Sequence, residues 1–149
     1  LWLDLSKGLG CPIGGVLAGS ADFIEKAWRL KQQIGGAMRQ AGIVAAAGIY
    51  ALENHVDRLA VDHENARAFS REIAQIPGIK LIFDHCPTNL VFFDVSETGM
   101  DAATVAEHLL AYDVRIGAMG PYRMRAVTHL DINWEQLSEA AEALRMVVA

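Results

Sequence analysis

Cysteine is scarce in this 149-residue chain: Cys11 and Cys86 stand apart, with neither C-x-x-C spacing nor the Cys/His pairs of a zinc site. Two thiols cannot make a disulfide framework, so the expected protein is reduced and cytoplasmic. Positive charge is not in excess either. Thirteen Lys and Arg against 18 Asp and Glu leave a net charge of −5, and no basic stripe interrupts the pattern. That balance argues against an electrostatic grip on nucleic acid or an anionic membrane, both of which need clustered cations. No run reaches the ~18 apolar residues of a membrane span, and the N-terminus lacks a signal peptide's charged start. His55 and His63 lie too far apart for an H-E-x-x-H site, so no metal is expected. Repeats and low-complexity tracts are missing.

What remains is 52% hydrophobic residues and 21% charged ones, the balance of a globular domain able to bury a core. The chain opens on an apolar, strand-like run, "LWLDL", followed by Ser6-Lys7 and a glycine-rich loop. A second strand is expected at 15–20, then a helix capped by Ser20 with Asp22 in its first turn. Gly35-Gly36 breaks that helix. A helical region follows from about Met38 to Gln75 in two pieces, and its first part, "AGIVAAAGIYALE", is apolar nearly all round. Such a helix should be buried, with Ala and Gly admitting another backbone.

Beyond Pro77-Gly78 the pattern changes. Strands are expected at 79–83, 89–95, 114–118 and 122–128, with helices at 101–112 and 134–147. The sequence therefore divides at residues 76/77: a strand-and-helix segment, 1–76, then a small α/β unit, 77–149, with an antiparallel sheet.

Lys7 poses the chemical question. A lysine at a strand end is ordinarily a solvated charge, but a lysine whose pKa is depressed, as partial burial beside other cations would do, can form a Schiff base with a carbonyl. Glycines at 8, 10, 14 and 15 leave room for a flat ligand near the backbone. The loop is no P-loop, because the lysine precedes the glycines and no Gly-Lys-Ser/Thr follows. Arg39 follows "GGAM" at the expected start of a helix, where free N–H groups and a cation suit a phosphate; pairing with an acid is the ordinary alternative. Arg123 and Arg125 share one face of a strand, as either a carboxylate clamp or cross-strand ion pairs.

Three motifs, "LSKGLGCPIGGVLAGS" (5–20), "GGAMRQAGIVAAAGIYALENHVDRLAVDHENAR" (35–67) and "RAVTHLD" (125–131), together resemble the low-specificity L-threonine aldolases. These are pyridoxal-phosphate enzymes of fold type I. The resemblance implies an α/β fold corresponding to the C-terminal portion of such an enzyme. Residues 1–76 would be the end of the large-domain sheet with long interdomain helices, and 77–149 the small domain. It implies pyridoxal 5′-phosphate held as a Schiff base by Lys7, with Arg39 near the cofactor phosphate and Arg125 holding the substrate carboxylate. Arg123 and His129 receive no role. The implied reaction is aldol cleavage of L-threonine, L-allo-threonine and related β-hydroxy-α-amino acids to glycine and an aldehyde, in a homo-oligomer, a dimer or tetramer. Two alternatives stay open: another fold type I reaction at Cα, or a segment that only assembles and clamps substrate.

Overall fold

The computed structural model describes residues Leu1–Ala149. The chain divides into two compact units, Leu1–Leu59 and Ala60–Ala149. The 76/77 boundary drawn on composition falls inside the second of these, between a helix and a strand.

In the first unit, β1 (Trp2–Asp4) pairs antiparallel with β2 (Gly15–Leu17), Leu3 standing opposite Val16. Helix α1 (Ala21–Gln33) starts where Ser20 accepts a hydrogen bond from the Phe23 N–H, with Asp22 in the first turn and Lys31 in the last. Helix α2 (Gly42–Asn54) begins later than the sequence pattern implies, because Gln40 adopts a left-handed backbone (φ 52°) and keeps the preceding residues in a turn. Its small residues have a definite use. Ala47 and Ala51 pack against Leu5, Leu9 and Cys11, and a Cβ at Gly48 would lie 3.0 Å from Leu5 Cδ1. The expectation that α2 is buried all round is not met. Ile43, Ile49, Tyr50 and Leu52 remain exposed, since this unit offers too few apolar neighbours to cover more than one side.

The second unit begins with α3 (Leu59–Ile73), whose first residue belongs to the unit before. A four-stranded antiparallel sheet follows, in the order β3 (Lys80–Leu81), β4 (Leu90–Asp94), β6 (Arg123–Val127), β5 (Gly117–Ala118). Helices α4 (Ala102–Leu109) and α5 (Trp134–Val148) complete it. Asp101 caps α4, and Asn133 with Gln136 forms a capping box at the start of α5. Pro77-Gly78 ends the α3 region as expected. Gly78 has φ 85°, and a Cβ there would sit 2.9 Å from Thr98 Cγ2 and 3.2 Å from the Thr98 backbone nitrogen.

Strand alternation sorts this sheet into two faces. Val91 and Phe93 of β4 and Met124 and Ala126 of β6 point into a core shared with Phe69, Ile73, Val105, Leu109 and Leu144. Burying each of the larger of these side chains contributes about 1.5–3 kcal/mol. The opposite face carries Phe92, Asp94, Arg123 and Arg125, and this alternation places Arg125 at the centre of the sheet.

Candidate functional site

Lys7 leaves β1 three residues after Asp4, in a turn held by backbone hydrogen bonds. The Gly10 N–H donates to the Lys7 carbonyl at 2.9 Å, and the Cys11 N–H donates to the Leu5 carbonyl at 3.0 Å. Gly10 takes φ 74°, which a side chain would resist. Helix α2 fastens the loop from beneath: His55 Nδ1 lies 2.7 Å from the Leu9 carbonyl, and the Cys11 thiol donates to the Ala47 carbonyl at 3.5 Å. The backbone around Lys7 is thus fixed, while the lysine side chain is 74% exposed.

The Lys7 ammonium donates to Asp4 Oδ2. The other oxygen, Oδ1, accepts from the Ser6 hydroxyl at 2.8 Å and the Ser6 N–H at 3.2 Å. These bonds, Lys7's first and Ser6's second, hold the Asp4 carboxyl below its ordinary value of 3.8. Sequence reasoning passed over Asp4; its signal was an acid followed two residues later by a serine at a strand end, the pattern of an Asx turn.

Arg39 sits in the turn before α2 rather than in a helix, exposed, with the first turn of α2 lacking a side-chain cap. Its cation therefore stands before the helix start, not within the opening turn as the pattern implied.

Arg125 and Arg123 lie on one strand face, and the register separates them. Arg123 faces Asp94 across the β4–β6 pair, whereas Arg125 faces Phe92 on one side and Gly117 on the other. The Asp94 carboxyl is held below 3.8, first by the Ser96 hydroxyl and backbone N–H, then by the charges of Lys80 and Arg123. Arg125 has no acid opposite it, and its buried Nε has no hydrogen-bond partner in the chain. A buried donor left unpaired is costly, so this guanidinium is a ready receiver for an anion. Gly117 beside it brings no side chain to cover the approach.

Beyond Arg125, Thr128 is fully buried, its hydroxyl donating to the Asp62 carbonyl at 2.5 Å and its N–H to the Asn89 carbonyl at 3.0 Å. His129 Nδ1 stands 3.4 Å from Asp131 Oδ2. A cavity of about 270 Å³ in this unit, lined by Phe69, Arg115, Gln136 and Glu139 among others, includes none of the residues singled out from the sequence.

Comparison with known proteins adds the wider setting. Residues 1–98 match the family model described as beta-eliminating lyase. The low specificity L-threonine aldolase of Escherichia coli (strain K12) is 43% identical over 145 residues, covering 97% of this chain and 41% of that relative. The low-specificity L-threonine aldolase 1 of Arabidopsis thaliana is 34% identical over 129 residues, 86% of this chain and 36% of the relative. The chain thus spans about two-fifths of the length of such relatives. Among solved structures, the Sphingomonas wittichii serine palmitoyltransferase superposes with a TM-score of 0.76 at 16% identity, over 98% of this chain and 38% of its own. At that identity the likeness speaks for the fold, the α/β architecture of fold type I enzymes.

Proposed function

Because the chain belongs to the beta-eliminating lyase family, we propose that it forms the lysine-bearing portion of an aldolase. This enzyme cleaves L-threonine, L-allo-threonine and related β-hydroxy-α-amino acids to glycine and an aldehyde. The 43% identity to the E. coli threonine aldolase supports this choice of reaction. Pyridoxal 5′-phosphate is the cofactor of this family. The residues present fit it: a solvent-open lysine amine on a fixed turn, an exposed arginine before a helix start, and a half-buried arginine whose Nε lacks a partner. In this reading residues 1–76 are the end of the cofactor-binding domain with its helical connection, and 77–149 the small domain.

Each residue then has one task. Lys7 would hold the cofactor through its side-chain amine. Arg39 meets the cofactor phosphate. Arg125 takes the substrate carboxylate bidentately, a geometry its planar fork suits and lysine cannot copy. The bound cofactor supplies an electron sink for the carbanion left when the Cα–Cβ bond breaks. The hydroxyl proton is removed and Cα regains one, so the cleavage balances without oxidant or reductant. The protein acts in the cytoplasm as a homo-oligomer, and the exposed apolar side of α2 supports assembly.

The observation that carries the reading is Lys7 itself, an accessible amine on a backbone pinned by Gly10 and α2. Borohydride treatment of the complete protein with pyridoxal phosphate should fix the cofactor on the Lys7 peptide, with glycine released from threonine. Lys7→Ala should lose both. Undiminished turnover in that variant would refute the assignment. The family's description also favours a second reading, elimination at Cβ, which would release a 2-oxo acid and ammonia in place of glycine.

A further inference from the structure

We propose that Asp4 is the positioning residue of Lys7: its carboxylate, locked in orientation by Ser6, docks the lysine ammonium and governs its release as a free nucleophile. This rests on the reading of Lys7 as the covalent lysine and adds the control of its reactivity. The observation is a division of labour between two oxygens. Oδ1 is occupied by the Ser6 N–H and hydroxyl, which leaves Oδ2 aimed at Lys7 Nζ. The two partners also differ in freedom. The Asp4 side chain is 25% exposed and sits on a strand residue paired with Gly15, while the Lys7 side chain is 74% exposed on a flexible four-carbon stem. The anion is the fixed post and the lysine is the moving part.

An exposed ion pair of this kind adds little to folding, so fold stability gives the carboxylate no strong reason to be there. Its effect on chemistry is more direct. An amine adds to a carbonyl through its nitrogen lone pair, and a nitrogen docked by hydrogen bond on Oδ2 must leave that oxygen before it can do so. Asp4 therefore holds Lys7 in place and unreactive until a carbonyl group competes for it.

Acetic anhydride reports this without any cofactor. Acylation forms the N–C amide bond, breaks the anhydride's C–O bond to expel acetate and passes two protons from the ammonium to solvent, so its rate follows the undocked amine. Trace labelling near neutral pH, read by peptide mass spectrometry, gives the Lys7-to-Lys26 ratio, with the exposed Lys26 of α1 as internal reference. Asp4→Asn should raise that ratio by about threefold to fivefold, and Asp4→Glu, which keeps the charge, should leave it at the parent value. Ser6→Ala removes the hydroxyl's bond to Oδ1 and leaves the backbone N–H's, so it should raise the ratio by a smaller factor, about twofold. If Asp4→Asn fails to fold, Ser6→Ala decides alone: a raised ratio supports the docking role, and an unchanged ratio overturns it. An unchanged ratio in folded Asp4→Asn overturns it likewise. Failure to fix pyridoxal phosphate on Lys7 would instead refute the covalent role, leaving the labelling result as it stands.

Discussion

The two units place a candidate cation in opposite ways. In the first, four buried residues, Leu5, Leu9, Cys11 and Ala51, make the core, and Lys7 stands over it with Asp4 beside it. In the second, a far larger core supports Arg125, and the strand register gives that arginine a phenylalanine and a glycine for neighbours. A small core does not bury a charge, so its lysine stays in water with a counter-ion at hand. A large core can hold part of a guanidinium out of water and leave its Nε waiting. The difference teaches that burial, rather than charge, separates a solvated amine with its counter-ion from a guanidinium fork held partly out of water.

The largest expected effect strikes the support itself. Phe93→Ala removes a fully buried ring from the centre of β4 and should cost about 3–5 kcal/mol of unfolding free energy, while Leu9→Ala in the thinner core should cost about 2 kcal/mol. Urea unfolding followed by segment-resolved hydrogen exchange would measure both. Equal losses would break the contrast between the cores.

Next comes the arginine. Arg125→Lys or Ala should lower kcat/KM of the complete protein by about 30-fold to 1,000-fold, corresponding to about 2–4 kcal/mol for a lost charge-assisted contact. Cofactor fixation on Lys7 should survive. Arg123→Ala, which frees Asp94 from one of two cations, should be several times milder. A reversed order in steady-state assays would assign the clamp to Arg123.

The smallest effect is that of acid. In the second unit Glu64 is held below its ordinary 4.5 chiefly by Arg67, Asp94 below 3.8 chiefly by Ser96, and Asp101 below 3.8 by the Thr104 N–H it caps; the first unit has Asp4. A depressed carboxyl stabilises the fold above its unfolded value and loses that contribution as pH falls through the lower, folded value. Thermal melting should therefore be flat from about pH 7 to about pH 5 and decline below about pH 4, with the second unit moving further. A melting temperature that is constant into strong acid would count against these carboxylate contacts.

Local chemistry made much of this fold legible. Ser20 and Asp101 announced helix starts, Pro77-Gly78 announced a stop, and the runs at 89–95 and 122–128 announced strands of an antiparallel sheet. The start of α2 was less so, because a left-handed Gln40 is not written in side-chain periodicity. Strands β3 and β5 shrink to two residues each, since pairing with a neighbour defines a strand and apolar runs do not. Of the candidate residues, Lys7 and Arg125 are singled out by the motifs that carry the resemblance, strand parity placing Arg123 on the same face. Two facts about them could not be read that way: that Asp4 turns back toward Lys7 through the Ser6 bend, and that Asp94 stands across from Arg123 and not Arg125. Both depend on register and turn geometry, which bring together residues the sequence holds apart.

One small feature reaches further than its size. Three residues beyond Arg125, Thr128 is tied to Asn89 by its N–H, with the Asn89 amide returning a bond to the Thr128 carbonyl at 2.8 Å, and tied to α3 through Asp62. A strand fastened at that end has already surrendered its conformational entropy during folding. The carboxylate proposed for Arg125 would then restrain little more than the side chain, the ordering cost having been met before a ligand appears.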